Sequence, residues 1–158
     1  MRVEDQWLRA ASQGEVARAL EAVYADVAAH IEARGPACWA SGRCCNFEGA
    51  GHLLYVTGLE AAYTVARLAS PPPAGAAGCC PLMEGHLCGA HTIKPLGCRV
   101  YFCDRGAQEW QHRLSEHALN QIRRIHDEGG IPYEYAEWRF LLRRISGVRF
   151  GTEPGVGQ

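Results

Sequence analysis

The chain has 158 residues, 47% of them hydrophobic and 21% charged, enough material for one domain with a modest core. Its 16 basic and 17 acidic side chains leave a formal charge of −1 with no long run of one sign, which gives no sign of the basic face or stripe of a nucleic-acid binder. No apolar stretch approaches the ~20 residues that span a bilayer, and the first twenty residues, MRVEDQWLRAASQGEVARAL, lack the apolar block of a signal peptide.

In chain order, Ser12-Gln13-Gly14-Glu15 has the spacing of a capping box. It predicts a helix over residues 12–34 with Val16, Leu20, Val23, Val27 and Ile31 on one face. Gly35-Pro36 stops that helix, and Trp7 and Leu8 begin a short turn ahead of it. The run Leu53-Leu54-Tyr55-Val56 is too short to separate a strand from an extended segment. Thr57-Gly58-Leu59-Glu60 is a second capping box, opening a helix to about Ala69 that Ser70-Pro71-Pro72-Pro73 ends. Ala74 to Gly78 reads as a flexible linker.

The segment 79–103 shows no helical period, and Asp104 is placed to cap the next helix. Trp110, Leu114, Ala118, Ile122 and Ile125 form its stripe, ending at Gly129-Gly130. Pro132 opens a last helix through Tyr133, Ala136, Phe140 and Ile145, closed by Gly147. The expected architecture is mainly α, about four helices packed around irregular cysteine-rich metal-binding loops with little or no sheet. Residues 1–150 form a single metal-binding domain, with a cysteine-rich core over 38–103, helical flanks over 12–34 and 105–146, and a disordered tail over 151–158.

With no export signal, the chain is expected in the cytoplasm, where thiols stay reduced and cysteines read as metal ligands before disulfides. The eight are Cys38, Cys44, Cys45, Cys79, Cys80, Cys88, Cys98 and Cys103. Structurally inert cysteines would be scattered along apolar helix faces. These are confined to loops rich in Gly and Pro that can bend several sulfurs toward one point. Their separations of 6, 1, 34, 1, 8, 10 and 5 residues contain no Cys-x-x-Cys knuckle of the kind structural zinc sites use. Only Cys88-Gly89-Ala90-His91 has knuckle spacing. Iron–sulfur clusters accept more varied spacings and all-thiolate shells, so spacing tilts toward a cluster, of the [4Fe-4S] type, over Zn2+. The first group has too few thiols for a closed site, so sulfurs from both groups share a centre. Seven or eight thiolates exceed the four that one zinc or one cluster takes, and the surplus implies a second metal, a multinuclear site or cysteines held back for redox work.

The stretch from Cys38 to Cys45, CWASGRCC, resembles the signature of the CxxCxxCC (YkgJ-type) zinc- or iron-chelating family. Cys80-Pro81-Leu82 and the run CGAHTIKPLGCRVYFC from Cys88 to Cys103 resemble that family's second half, and Thr57 and Glu60 the threonine and glutamate between. The resemblance covers residues 38–103 and implies metal chelation by Cys38, Cys44, Cys45, Cys80, Cys88, Cys98 and Cys103. A flagellin lysine N-methylase is among the family's members. Ser41 stands where the family has a cysteine, Lys94 replaces an arginine, and His91 stands where a tyrosine is common. Cys79 is additional: it either supplies the thiolate lost at Ser41 or is a spectator.

His86 and His91 flank Cys88 and are either ligands, donors to a sulfur or ordinary loop residues. His112, His117 and His126 fall on the polar side of their helix, with His112 and Glu116 spaced as a surface pair. Arg99 and Lys94, among the thiolates, either offset the negative charge of a thiolate centre or are surface cations. Glu60 is first a helix cap and second a buried acid near the site. No Walker A, GxGxxG, HExxH or nucleophile elbow is present. The expected function is a small metal-binding protein of structural or redox role. Its rivals are a metal-dependent enzyme of methyl-transfer or radical type, for which 158 residues leave little room, and a metal-stapled module that docks on a larger protein partner. No nucleic acid and no membrane are expected as partners.

Overall fold

The computed structural model describes residues 1–35, 53–73, 80–84, 87–89, 92–100, 106 and 108–151. Among them are six helices and four short strands: α1 (Val3–Ser12), α2 (Gly14–Arg34), β1 (Tyr55–Thr57), α3 (Gly58–Ala66), β2 (Met83–Glu84), β3 (Leu87–Cys88), α4 (Leu96–Val100), α5 (Gln108–Gly129), β4 (Tyr135–Glu137) and α6 (Trp138–Phe150). The protein is mainly α, with two more helices than the sequence periodicity suggests. The added ones are α1, where Trp7, Ala10 and Ala11 at i, i+3 and i+4 make a buried stripe, and the single turn α4, too short for periodicity to reveal.

The core forms where α1 and α6 pack on α3, and α5 packs on α2. Leu20, Val27, Leu59, Ile122, Leu141, Leu142 and Ile145 are shut away from solvent there. The stripes on α2 and α5 are as the sequence predicts, with Leu20, Val23 and Val27 on the first and Leu114, Ala118 and Ile122 on the second buried. Trp7 lies flat against Gly58, where a methyl group would come within 2.3 Å of the ring. Glycine at that position is what lets α1 approach α3 so closely.

Two ribbons complete the fold. β1 pairs antiparallel with β4, Tyr55 opposite Glu137 and Thr57 opposite Tyr135, and the ladder is extended by Gly58 N–H to Glu134 O at 2.9 Å and Trp138 N–H to Leu54 O at 2.8 Å. β2 and β3 form a small hairpin, with Met83 opposite Cys88.

Four expectations about helix ends are corrected. Ser12 caps nothing; its hydroxyl turns back to Leu8 O at 2.8 Å inside α1, and Gln13 is the N-cap of α2 without a side-chain bond. The helix from Gly58 ends at Ala66, short of Ala69. The last helix opens at Trp138 rather than Pro132, because residues 135–137 are claimed by pairing with β1. Gly147 is buried inside that helix, which closes at Gly151 with φ +68°. The linker 74–78, Asp104 and the tail beyond 151 lie outside the described residues.

His126 is a fifth correction. It lies on the polar side by composition, yet it is only 1% exposed, because it continues the spacing of Leu114, Ala118 and Ile122 by four more residues. Its Nδ1 lies 3.1 Å from Pro132 O and 3.3 Å from Ile131 O, so that nitrogen carries the proton. Nε2 is buried with no hydrogen-bond partner among the described residues, and Tyr133 packs edge-on at 5.1 Å. Burial pushes the imidazole pKa below its ordinary value, against the backbone carbonyls and the carboxylates of Glu60 and Asp127. The unfolded chain therefore binds a proton that the folded chain refuses, and stability rises with pH through this group. Its contribution is complete above about 6.5 and is lost as the pH falls below that value. Urea midpoints of the full chain should drop on going from pH 7.5 to 5.5, and His126→Asn, which keeps a donor for Pro132 O, should drop less. Equal slopes in the two proteins would contradict this assignment.

Candidate metal-binding site and its buried carboxylate

Thr57 and Glu60 form the expected capping box: the Thr57 hydroxyl accepts from Glu60 N–H at 3.2 Å, and Glu60 Oε2 accepts from Thr57 N–H at 3.1 Å. The same oxygen takes the Thr57 hydroxyl proton at 3.0 Å. An ordinary cap sits at the surface. Glu60 is instead 1% exposed, and its Oε1 accepts from the Tyr24 hydroxyl at 3.1 Å and from Leu96 N–H at 2.8 Å. Four donors from three parts of the chain thus converge on one carboxylate. A buried carboxylate needs such a shell, since a charge withdrawn from water without compensating donors is very costly.

Leu96 opens α4, the helix that carries Cys98. The preceding segment is held from two sides. From α3, the Thr64 hydroxyl donates to Ile93 O at 2.6 Å. From within, Arg99 Nε donates to Lys94 O at 2.7 Å and Arg99 Nη2 to Thr92 O at 3.0 Å. The Arg99 guanidinium lies 3.9 Å above the Tyr24 ring, a cation–π stack that completes a chain of contacts from Glu60 through Tyr24 to Arg99. Burial raises the Tyr24 phenol well above its ordinary pKa, with the Glu60 charge acting in the same sense, so it stays a donor. Burial lowers the Arg99 pKa from its ordinary value. Arg99 is therefore a brace for the loop before Cys98.

Of the seven cysteines expected as ligands, the structure describes the side chains of two. Cys80 is 5% exposed and Cys98 7% exposed. Cys80 Sγ accepts the indole N–H of Trp138 at 3.1 Å and Leu82 N–H at 3.5 Å. Cys98 departs from the all-loop expectation by lying within α4, where its N–H bonds Pro95 O at 3.1 Å. Next to it, Gly97 accepts Leu54 so closely that a Cβ would meet Leu54 Cδ1 at 2.3 Å. The backbone beside Cys98, at Gly97, thus packs closely against Leu54. Cys88 is placed only through its backbone, in β3. Cys38, Cys44, Cys45 and Cys103 lie outside the described residues, as do Cys79, His86 and His91. Among the described residues, no three His, Cys, Asp or Glu side chains converge as a metal-ligand set. The placed donors fit a thiolate ligand, since two N–H groups directed at Cys80 Sγ would stabilise negative charge on it.

Away from the cysteines, an open groove of about 320 Å³ between α2 and α5 is lined by Ala22, Val23, Asp26, Gln121 and Ile125, among others, and includes none of them. His112 and Glu116 form the expected exposed surface pair at 3.2 Å. Two contributors to the site are invisible in the sequence. Trp138 reaches Cys80 across 58 residues and Tyr24 reaches Glu60 across 36; no local spacing encodes either.

Replacing Glu60 by Gln keeps the shape but sets an amide N–H₂ against donors. At least one buried donor then loses its acceptor, a loss of about 1–3 kcal/mol. Tyr24→Phe removes a single donor and should cost about 1 kcal/mol. Denaturant unfolding should rank the two in that order, and a Glu60→Gln protein as stable as the unmodified chain would contradict the convergence described.

No family model, curated protein or solved structure matches this chain, and the chemistry of the site rests on its own residues.

Proposed function

We propose that this chain holds one metal centre in a thiolate site fed by both cysteine groups, an iron–sulfur cluster of the [4Fe-4S] type or Zn2+, with a structural or redox role. The observation that carries the reading is the Cys80 sulfur, buried and accepting N–H bonds from Trp138 and Leu82. N–H groups aimed at sulfur stabilise negative charge on it, and the thiolate is the form that binds metal. The confinement of all eight cysteines to residues 38–103 supports the same reading, as does the resemblance to the chelating family. The protein then belongs in a reducing compartment, the cytoplasm, where thiolates persist. The proposed ligands are drawn from Cys38, Cys44, Cys45, Cys80, Cys88, Cys98 and Cys103, of whose seven thiolates one cluster or one Zn2+ takes four. The carboxylate of Glu60 contributes by holding the start of α4, and thus the backbone that bears Cys98.

A second reading, a metal-stapled module for a larger protein partner, draws on the outward face of the β1–β4 ribbon. There Tyr55 and Tyr135 lie with ring centroids 6.0 Å apart and both are about half exposed, with Leu53 exposed beside Tyr55. Exposed aromatic pairs of this kind are enriched in docking surfaces.

Anaerobic purification with metal analysis and a visible spectrum tests the primary reading. Cys44→Ser and Cys98→Ser should each reduce bound metal, and the double variant should lose little more than either alone. Undiminished metal in both single variants would refute the ligand assignment. Independent, additive losses would show two separate centres.

A further inference from the structure

Trp138 is the first residue of α6 and is 1% exposed. An indole has a donor and no acceptor, so burying it requires an acceptor nearby. Here that acceptor is a sulfur: Nε1–H points to Cys80 Sγ at 3.1 Å. The same residue uses its backbone N–H to hold Leu54 O at 2.8 Å. Trp138 thus grips Cys80 with its side chain and, with its main chain, the strand entrance that follows the first cysteine segment. Among the described residues the other deeply buried tryptophan, Trp7, gives its N–H to a backbone oxygen, Pro132 O at 2.8 Å. The sulfur acceptor thus distinguishes Trp138 from Trp7.

We infer that Trp138 is a positioning residue of the metal centre, donating its indole N–H to the ligand sulfur of Cys80 and so making the last helix part of a centre whose proposed ligands all lie within residues 38–103. The inference rests on the thiolate reading above and extends it to a residue 35 positions beyond the last cysteine, Cys103. An N–H bond draws electron density from the sulfur and lowers the energy of its lone pairs, with Leu82 N–H acting in the same sense at 3.5 Å. In a cluster, that donation raises the reduction potential. At any metal, it moves sulfur-to-metal charge transfer to higher energy.

Cobalt(II) bound to the full chain in place of the resident metal reads this directly through its sulfur-to-cobalt absorption band. Trp138→Phe should move the band to longer wavelength, whereas Trp7→Phe, which removes a similar volume from the core, should lower stability and leave the band in place. A band present in the unmodified protein and unmoved in Trp138→Phe overturns the role of Trp138 while leaving the thiolate centre standing. A band absent from the unmodified protein removes the thiolate reading and this inference with it. Should Trp138→Phe fail to fold, the unmodified chain loaded with cadmium-113 supplies the same test. The Trp138 indole proton should then show scalar coupling to the metal through the N–H···S bond. Thiolate-bound cadmium without that coupling overturns the inference.

Discussion

The Glu60 carboxylate is closed off from water and accepts hydrogen bonds from Thr57 N–H, the Thr57 hydroxyl, the Tyr24 hydroxyl and Leu96 N–H. These donors come from segments with different jobs. Thr57 starts α3, Tyr24 belongs to α2, and Leu96 starts the turn that carries Cys98. A carboxylate in this position cannot be left partly satisfied, since each missing bond leaves charge facing a low-dielectric interior. The geometry of three segments is therefore set together, and α4, with only five residues, owes its position to this bond rather than to helix propensity.

Around that carboxylate the contacts repeat one pattern, in which polar side chains hold the irregular segment before Cys98. Thr64 reaches Ile93 O, and Arg99 folds back to Lys94 O and Thr92 O while stacking on Tyr24. At the opposite end of α3, Arg149 donates to Val65 O and Leu68 O, caps for carbonyls that the helix end leaves open. Arg144 links Glu4 and Glu134, tying α1 and the approach to β4 onto α6. Being partly exposed, that pair of bridges contributes alignment more than stability.

Much of this frame is legible in the sequence wherever the determinant is local. The stripes Leu20, Val23, Val27 and Leu114, Ala118, Ile122 emerge from helical period alone, and Thr57-x-x-Glu60 is readable because both partners of a capping box lie within one turn. Ser12-x-x-Glu15 has the same spacing and forms no box, since α1 continues through Ser12 and its hydroxyl finds Leu8 O first. The start of the last helix is hidden because pairing with β1, some eighty residues away, outweighs the preference of Pro132 for a first helical turn. His126 reads as solvated by its polarity, while its spacing, four beyond Ile122, points inward. In the candidate site, the grouping of the cysteines within residues 38–103 is visible in the sequence. The partners that shape it, Tyr24 and Trp138, depend on tertiary approach and leave no local trace.

The bond from Leu96 N–H to Glu60 anchors the start of α4, and with it Cys98, to the buried carboxylate of the helical core. Native-state hydrogen exchange of the Leu96 amide tests this most directly. The amide should exchange as slowly as those of Ala62 and Val65 inside α3, opening only when the core opens. Exchange of Leu96 at the rate of a solvent-exposed amide, with α3 still protected, would contradict it.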